Sequence, residues 1–440
     1  MPEVMERVGS KEHFIGDLGH VRSAGPEWLA VRRKAALGRF LATSLPHRKM
    51  EDWRFTNINP IVRTPFHSAT EQAALLPGAP DVAPFLYGEA SWAELVFVDG
   101  FFAPGLSRIP KGLNAGSISH AISGGNALAE SHVDSYVSAV PNAFSALNSA
   151  FLLDGACVHV PKDTELEAPI HLLFVTTGHD SEMATHPRNL IVVDRNSKAS
   201  IVESYVSLGE GAPYLTNAAT EIVAGEGSQI LHYKLMQERR DSYHLATTQV
   251  KQERDSTYRS FVMSLSAAIG RNELNVLLDG EGASCSLNGL YMTDGEQLID
   301  NRTSIDHAKP HCTSWIGYKG VLADRSHAVF SGKIMVRRGA QKTDSNQLNR
   351  NLLLSDKATV DTKPLLEIFA DDVKCTHGAT IGQPPKELVY YFRTRGMSEA
   401  MALGMLTYGF ADEVVNQIEL NPVRERLERF VFDKYSPVPA

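Results

Sequence analysis

The residues best suited to chemistry are a cysteine and a histidine, Cys375 and His377, in the segment DDVKCTHGATIG. They stand two positions apart in a stretch with strand character, so both side chains should leave the same face, with Cα atoms about 6.5 to 7 Å apart. A thiolate and an imidazole can bind one metal ion together, but a closed zinc site needs four ligands. A second surface would have to complete the site. The alternative is a structural one, in which a small, buried thiol packs beside a hydrogen-bonded histidine.

A second group of possible ligands, His307, His311 and Cys312, lies in the segment HAKPHC. Pro310 prevents the regular helix that would align the two histidines on one face. We therefore expect these three side chains to diverge, and metal binding is disfavoured here.

Composition excludes several classes of protein. The 440 residues carry 43 Lys and Arg against 51 Asp and Glu, a net charge of −8, so the positive field of a nonspecific nucleic-acid-binding protein is missing. The sequence lacks the GxxxxGK[ST], H-E-x-x-H, G-x-S-x-G and complete GxGxxG motifs, which argues against a self-contained NTPase, zincin or hydrolase. Without an apolar leader or a run of about 18 apolar residues, we expect a soluble, cytoplasmic protein. Four scattered cysteines without C-x-x-C are typical of a reducing compartment.

Three regions would position the candidate ligands. Residues 1–94 mix helix and loop, with one amphipathic pattern over Trp28–Leu45. Residues 95–383 consist of short runs rich in Val, Ile, Thr and Tyr that are separated by Gly, Asp, Asn and Ser, which is typical of strands. Residues 384–440 return to helical patterns. The sequence thus predicts a β core between two helical regions.

Within the β core, polar turns followed by strands recur at a regular interval. The positions just after the turns are spaced by about 28 residues. They are Ala199, Ser228, Ser256, Ala283 and Cys312. Strands of roughly five to eight residues exclude a helical solenoid, and a propeller blade would need about 40 residues or more. One coil of a β-helix fits this period, and a β-sandwich with coincidental spacing is the alternative.

The C-terminal region predicts three helices. Pro385 suits the first turn of one helix and Gly396 its end, Ser398 the N-cap of the second, and Asn421-Pro422 the start of the third. Apolar residues recur along the third helix as one stripe: Val423, Leu427, Phe430 and Val431. We interpret this stripe as the core of a compact helical domain that can also serve a partner.

Four long segments resemble the SufB/SufD family of iron-sulfur cluster assembly proteins. The most specific, NRNLLLSDKATVDTKPLLEIFADDVKCTHGATIG at 349–382, is similar to the closing coil of that family. The others are LPHRKMEDWRFTNI at 45–58, NAFSALNSAFLLDGACVHVPK at 142–162 and YYFRTRGMSEAMALGMLTYGF at 390–410. The Cys-x-His-Gly sequence, the length near 440 and the E-x-W-R-[FY]-T-like block are similar to the SufD branch rather than the SufB branch. The chain departs from the family at Pro384-Pro385, which affects only a helix cap.

The resemblance implies a mainly β fold, a right-handed parallel β-helix flanked by N-terminal and C-terminal helical regions. It implies a scaffold subunit, not an enzyme, that pairs with SufB through the β-helices and binds the SufC ATPase through the C-terminal helical domain. Iron or a nascent iron-sulfur cluster would be shared with SufB through Cys375 and His377. The isolated chain would hold none tightly, and it could form a homodimer.

Two other functions compete with this one. The first is a purely architectural subunit in which the cysteine and the histidine only pack. The second is a β-helix polysaccharide-active enzyme, which would need an export signal and an acidic calcium-binding cluster. The sequence offers neither feature.

Overall fold

The computed structural model describes residues 11–21, 25–70, 80–140 and 142–435. Residues 11–15 are helical, and the helices that follow are α1 Leu18–Val21, α2 Glu27–Ala42, α3 Asn59–Arg63, α4 Ile118–Ser123, α5 Ala127–His132, α6 Ala143–Phe151, α7 Lys386–Thr394, α8 Glu399–Val415 and α9 Asn421–Tyr435. Short 3-10 helices lie at Glu51–Trp53, Ala83–Phe85, Pro104–Leu106 and Val137–Ala139. None of the helices in these described ranges is long and apolar enough to cross a membrane.

The strands are β1 His67–Ser68, β2 Ala93–Val98, β3 Phe101–Phe102, β4 Asn114–Ser117, β5 Ala156–Val160, β6 Ile170–Thr177, β7 Met183–Thr185, β8 Arg188–Val193, β9 Lys198–Leu208, β10 Tyr214–Ala224, β11 Gln229–Gln237, β12 Tyr243–Gln252, β13 Thr257–Ser266, β14 Ile269–Leu278, β15 Ser284–Thr293, β16 Leu298–His307, β17 Thr313–Leu322, β18 His327–Val336, β19 Asp344–Leu353, β20 Thr359–Ile368 and β21 Lys374–Gly382.

The chain alternates between two sheets, so each coil gives one strand to each sheet. Sheet A follows the order β20-β18-β16-β14-β12-β10-β8-β5-β4, and sheet B follows β21-β19-β17-β15-β13-β11-β9-β6-β2-β3. The coils pair in parallel, and about eight of them lie between residues 157 and 382. The predicted parallel β-helix is confirmed and the β-sandwich alternative is wrong. Most central strands have ten residues, longer than expected, because each coil is flattened into two long sides.

The coils stack in register, and this register explains the sequence repeat. The first residues of successive sheet B strands pair in turn, at intervals of 27 to 31 residues: Lys198, Gln229, Thr257, Ser284, Thr313, Asp344 and Lys374. The residue before each of the first six occupies a buried corner, where small side chains fit, whereas Val373, before Lys374, is only partly buried. The predicted repeat is right at four positions, but Ser197 rather than Ala199 occupies the corner of the first coil.

An ionic network is buried inside the β-helix among largely apolar side chains. Glu203, on β9, accepts hydrogen bonds from Tyr205 at 2.7 Å and from His232 at 3.1 Å, and it lies 3.2 Å from the Lys234 ammonium. Burial alone would raise the pKa of the Glu203 carboxyl, but Lys234 and His232 outweigh this effect and hold that pKa below its ordinary value. The charge is therefore paired within the core, as a buried charge must be.

The N-terminal region covers the outer face of sheet A. Helix α6, which lies beyond residue 94, packs with this region on the strands of sheet A; its N-cap is Asn142, whose side chain accepts a hydrogen bond from the Phe144 backbone. The ring of His186 stacks on Phe151 at 4.4 Å, and its Nδ1 accepts a hydrogen bond of 3.1 Å from Asn217. These contacts tie the helical region to the first coils of the β-helix.

The C-terminal helices pack on the outer face of sheet B. The predicted starts and ends are confirmed, including Ser398, whose hydroxyl accepts a hydrogen bond of 3.2 Å from the Met401 backbone. The apolar stripe of α9 meets β-helix residues as well as α8, so it is not only the core of a separate helical unit. The β-helix side chains in this contact include Tyr233, Phe261, Met263, Leu290, Met292 and Val321.

Acidification should destabilise the fold through His186. Burial lowers the pKa of this histidine from 6.5 to about 3. Below about pH 6.5 the unfolded chain takes up a proton on His186 that the folded protein does not. The free energy of unfolding therefore decreases as the pH falls from about 6.5 towards 3. The loss between about pH 6.5 and about pH 5.5 is about 1 kcal/mol. His186→Phe should remove that part of the pH dependence in urea unfolding, whereas His67→Phe, at an exposed site, should not. Equal pH slopes for His186→Phe and wild type would contradict the prediction.

Candidate functional site

The predicted ligands Cys375 and His377 lie on β21, the last strand of sheet B. In the described part of the chain, β21 has β19 as its one neighbour within the sheet, and its other edge is open. Two backbone hydrogen bonds hold the turn before β21. The Lys342 N–H donates to the carbonyl of Asp372 at 2.7 Å, and the Lys374 N–H donates to the carbonyl of Thr343 at 2.8 Å. The pair therefore stands at the C-terminal end of the β-helix.

Cys375 faces the interior of the end coil. Its side chain is half-buried and packs against the main apolar core, with Ser345 of β19 as its in-register neighbour. Burial, and to a smaller extent the negative charge of Asp344, raises the pKa of the Cys375 thiol. The sulfur is thus protonated at neutral pH, and a metal ion must displace that proton in order to bind.

His377 stands two positions further on the same strand and is exposed. Side chains two apart on a strand leave the same face, so the imidazole shares the open end of the coil with the thiol. Its in-register neighbour is Gln347, which is buried beneath it. The arrangement can offer one sulfur and one nitrogen ligand to a metal ion that approaches from outside the chain.

The other cluster of possible ligands is dispersed, as predicted. His307 is buried, and its Nε2 lies 2.9 Å from the Ser314 hydroxyl. His311 occupies a left-handed turn with φ of 60°, and the Cys312 thiol donates to the carbonyl of Gly280 at 3.2 Å. Over residues 11–435, apart from the gaps named above, no three His, Cys, Asp or Glu side chains converge as a metal site. If Cys375 and His377 bind a metal ion, the remaining ligands must come from outside the described part of the chain.

A second exposed feature lies on the C-terminal helices, and the sequence analysis missed it. Every residue of α7 is at least partly exposed, and large apolar side chains on α7 and α8 face solvent, among them Leu388, Tyr391 and Met405. A cleft of about 770 Å³ separates these helices from the end of β19. The sequence does contain apolar residues at helical spacing in α7, but periodicity alone does not show which face of a helix the fold leaves exposed. Exposed apolar patches of this kind mark interaction surfaces.

Two family models match the chain. The one described as SUF system FeS cluster assembly, SufBD core domain, matches residues 174–410, and the SufBD protein N-terminal region matches residues 13–172. An iron-sulfur cluster assembly SufBD family protein of Synechocystis is 34% identical over 416 residues, covering 92% of this chain and 90% of that protein. Iron-sulfur cluster assembly protein SufD of Escherichia coli is 30% identical over 398 residues, with 89% of each chain covered. SufD of Bacillus subtilis is 27% identical over 300 residues, 64% of each chain.

Cys375 should be the one cysteine that reacts with a thiol reagent in the folded protein. The other three are buried, whereas Cys375 is partly accessible. Alkylation by iodoacetamide should therefore modify one thiol per chain and be lost in Cys375→Ser. Because Asp344 raises the pKa of that thiol, Asp344→Asn should speed the reaction at pH 7.5, since more thiolate is present. Labelling of a second thiol before unfolding, seen by peptide mapping, would contradict this assignment.

Proposed function

Because the chain belongs to the SufBD family of iron-sulfur cluster assembly proteins, we propose that it is a SufD-like, non-catalytic subunit of a SufBCD-type scaffold. The observation that carries the proposal is the position of Cys375 and His377 on the open terminal strand of the β-helix. Two ligands at an open end are suited to a cargo, here a metal ion or cluster, that is held between two proteins. All four cysteines are free thiols, which supports a reducing, cytoplasmic setting.

We propose that the open end of the β-helix pairs with a SufB-type partner. Strands β20 and β21 are the terminal strands of their sheets, and a free strand edge is a template for adding another strand. Apolar side chains beside these edges are exposed, including Phe369 at 62% and Ile381 at 50%. A second copy of the chain could use the same surface when the partner is absent, which would give a homodimer.

The cargo of this site would be iron or a nascent iron-sulfur cluster. A thiolate is a soft ligand for iron, and an imidazole is a borderline one. The raised pKa of Cys375 opposes metal binding by the isolated chain, because the thiol must first lose its proton. Further ligands from the partner would offset that cost, so binding should be tight only in the complex.

We propose that the C-terminal region, residues 384–440, binds the SufC-type ATPase subunit. The exposed apolar side chains of α7 and α8 support this role, because the apolar stripe of α9 already packs on the β-helix. Removing residues 385–440 would therefore be a poor test, since it would uncover the apolar outer face of sheet B. Substitutions on the exposed face test the surface without that damage.

Loss of either ligand should remove the cargo and leave the fold. Cys375→Ser replaces a soft ligand with a hard one, and His377→Ala removes a ligand, while both positions are at least partly exposed. In the reconstituted complex each variant should lose most of the iron and of the visible cluster absorbance, with normal heterocomplex formation on gel filtration.

Two matched variants control for the loss of a thiol or an imidazole. Cys312→Ser places serine at a corner where other coils already have Ser228 and Ser256, and His67→Ala removes another exposed histidine. Both should retain the cargo. If Cys375→Ser and His377→Ala carry wild-type amounts of iron, the chain is an architectural subunit and the metal assignment is wrong.

Charge on the exposed helical face should weaken binding of the ATPase subunit. Leu388→Asp and Met405→Asp put a carboxylate on the proposed surface and should raise the dissociation constant at least about tenfold, or about 1.4 kcal/mol. Leu41→Asp, on the exposed face of α2, is the matched control. Titration calorimetry measures the effect, and unchanged affinity in both helical variants would place the ATPase elsewhere.

A further inference from the structure

Two inward columns of sheet B end at the candidate ligands. The column below His377 contains Leu287, Ile316 and then Gln347, one residue from each successive coil. The column below Cys375 contains Ser314 and then Ser345. In the histidine column, two apolar residues are thus followed by an amide in the coil directly beneath the candidate ligand.

The side chain of Gln347 is buried without satisfied hydrogen bonds. It is 1% exposed, and neither Oε1 nor Nε2 has a hydrogen-bond partner among the described residues. The amide crosses the interior of the coil and lies against Gly332 on the opposite sheet. A Cβ added at Gly332 would come within 2.5 Å of the Gln347 Nε2. Glycine therefore makes room for an amide that the folded chain leaves unsatisfied, although burying an unpaired amide is unfavourable. Both its donor and its acceptor are available to a group that arrives at the open end.

Ser345 ends a line of hydrogen-bonding groups that leads towards Cys375. The His307 ring lies 2.9 Å from the Ser314 hydroxyl, which lies 2.6 Å from the Ser345 hydroxyl. With the ring hydrogen on Nε2, the two hydroxyls donate in sequence and the Ser345 hydrogen points onward along the column. The next in-register residue is Cys375.

We propose that Gln347 is a positioning residue that accepts a hydrogen bond from the ring N–H of His377 while the other ring nitrogen binds the metal, and that Ser345 donates to the sulfur of Cys375. Neighbouring strands are about 4.8 Å apart, so a rotation of the Gln347 side chain from Gly332 towards β21 brings its amide to the imidazole. Metal-bound histidines almost always donate their second ring N–H to such an acceptor, which fixes the ring orientation. Hydrogen bonds to a ligating sulfur tune the bound metal in the same way.

This inference rests on the proposed function, and Co²⁺ titration of the complex with the SufB-type partner tests both separately. Gln347→Met keeps the length of the side chain and removes the amide. The variant should bind Co²⁺ about tenfold more weakly, yet unfold at an equal or higher urea concentration, because an unsatisfied amide is gone. A residue with only a structural role would lose stability instead.

A double-mutant cycle supplies the decisive comparison. Gln347→Met should have no effect on Co²⁺ affinity in a His377→Ala background, and Ser345→Ala none in a Cys375→Ser background, because each residue acts through its own ligand. Ser228→Ala, which removes another buried hydroxyl without a partner in the described chain, should leave affinity unchanged.

The possible outcomes separate failure of this inference from failure of the proposed function. If His377→Ala and Cys375→Ser weaken Co²⁺ binding but Gln347→Met does not, the inference is wrong and the proposed function stands. If the ligand variants bind Co²⁺ like wild type, the proposed function fails first. If Gln347→Met weakens binding equally with and without His377, its effect is structural and the inference is overturned.

Discussion

The structure depends on one constraint, which is that each coil must match the cross-section of the coils on both sides. Parallel strands in register place equivalent side chains on top of one another at about 4.8 Å, so no coil can be filled independently. Two tyrosines show the consequence. Tyr318 lies in register with Gly289 and Tyr291 with Gly320, and a Cβ at either glycine would come within 2.2 Å of the tyrosine ring. At these two positions a large side chain in one coil is matched by a glycine in the next, whereas Phe97, Phe174 and Tyr205 lie in register and stack ring on ring.

The end coil, formed by β20 and β21, has to match a neighbouring coil on one side only, because its other side has no neighbour in the described chain. The inward positions of β21 are no longer covered, so Cys375 and His377 combine the orientation of core residues with access to solvent. A rigid β-helix thus presents two candidate ligands on a regular strand, which holds them more precisely than a loop would. The polar side chains of β19 beneath them, including Gln347 and Ser345, belong to this change from interior to surface.

The sequence was sufficient for the parts of the fold that repeat or begin with a local signal. The period of about 28 residues predicted the β-helix, and the caps at Ser398 and Asn421 predicted the C-terminal helices. The surface that α9 meets was not predictable, because an apolar stripe specifies a buried face and not its neighbour. Gln347 also gave no signal, since a polar residue in DSNQLNRNLL looks exposed until the register places it inside. For the same reason the strand spacing predicted that Cys375 and His377 share a face, but only the fold places that face at an open end.

The packing of the C-terminal helices on sheet B has a mechanical consequence. Their apolar side chains rest on strands from β9 to β17, and the Lys319 ammonium on β17 lies 2.6 Å from Glu413 of α8. A force applied to α8 or α9 is therefore shared among several hydrogen-bonded coils instead of pulling on the terminal one. Movement of these helices would carry the coils beneath them as one body, and the open end at β21 would move with those coils.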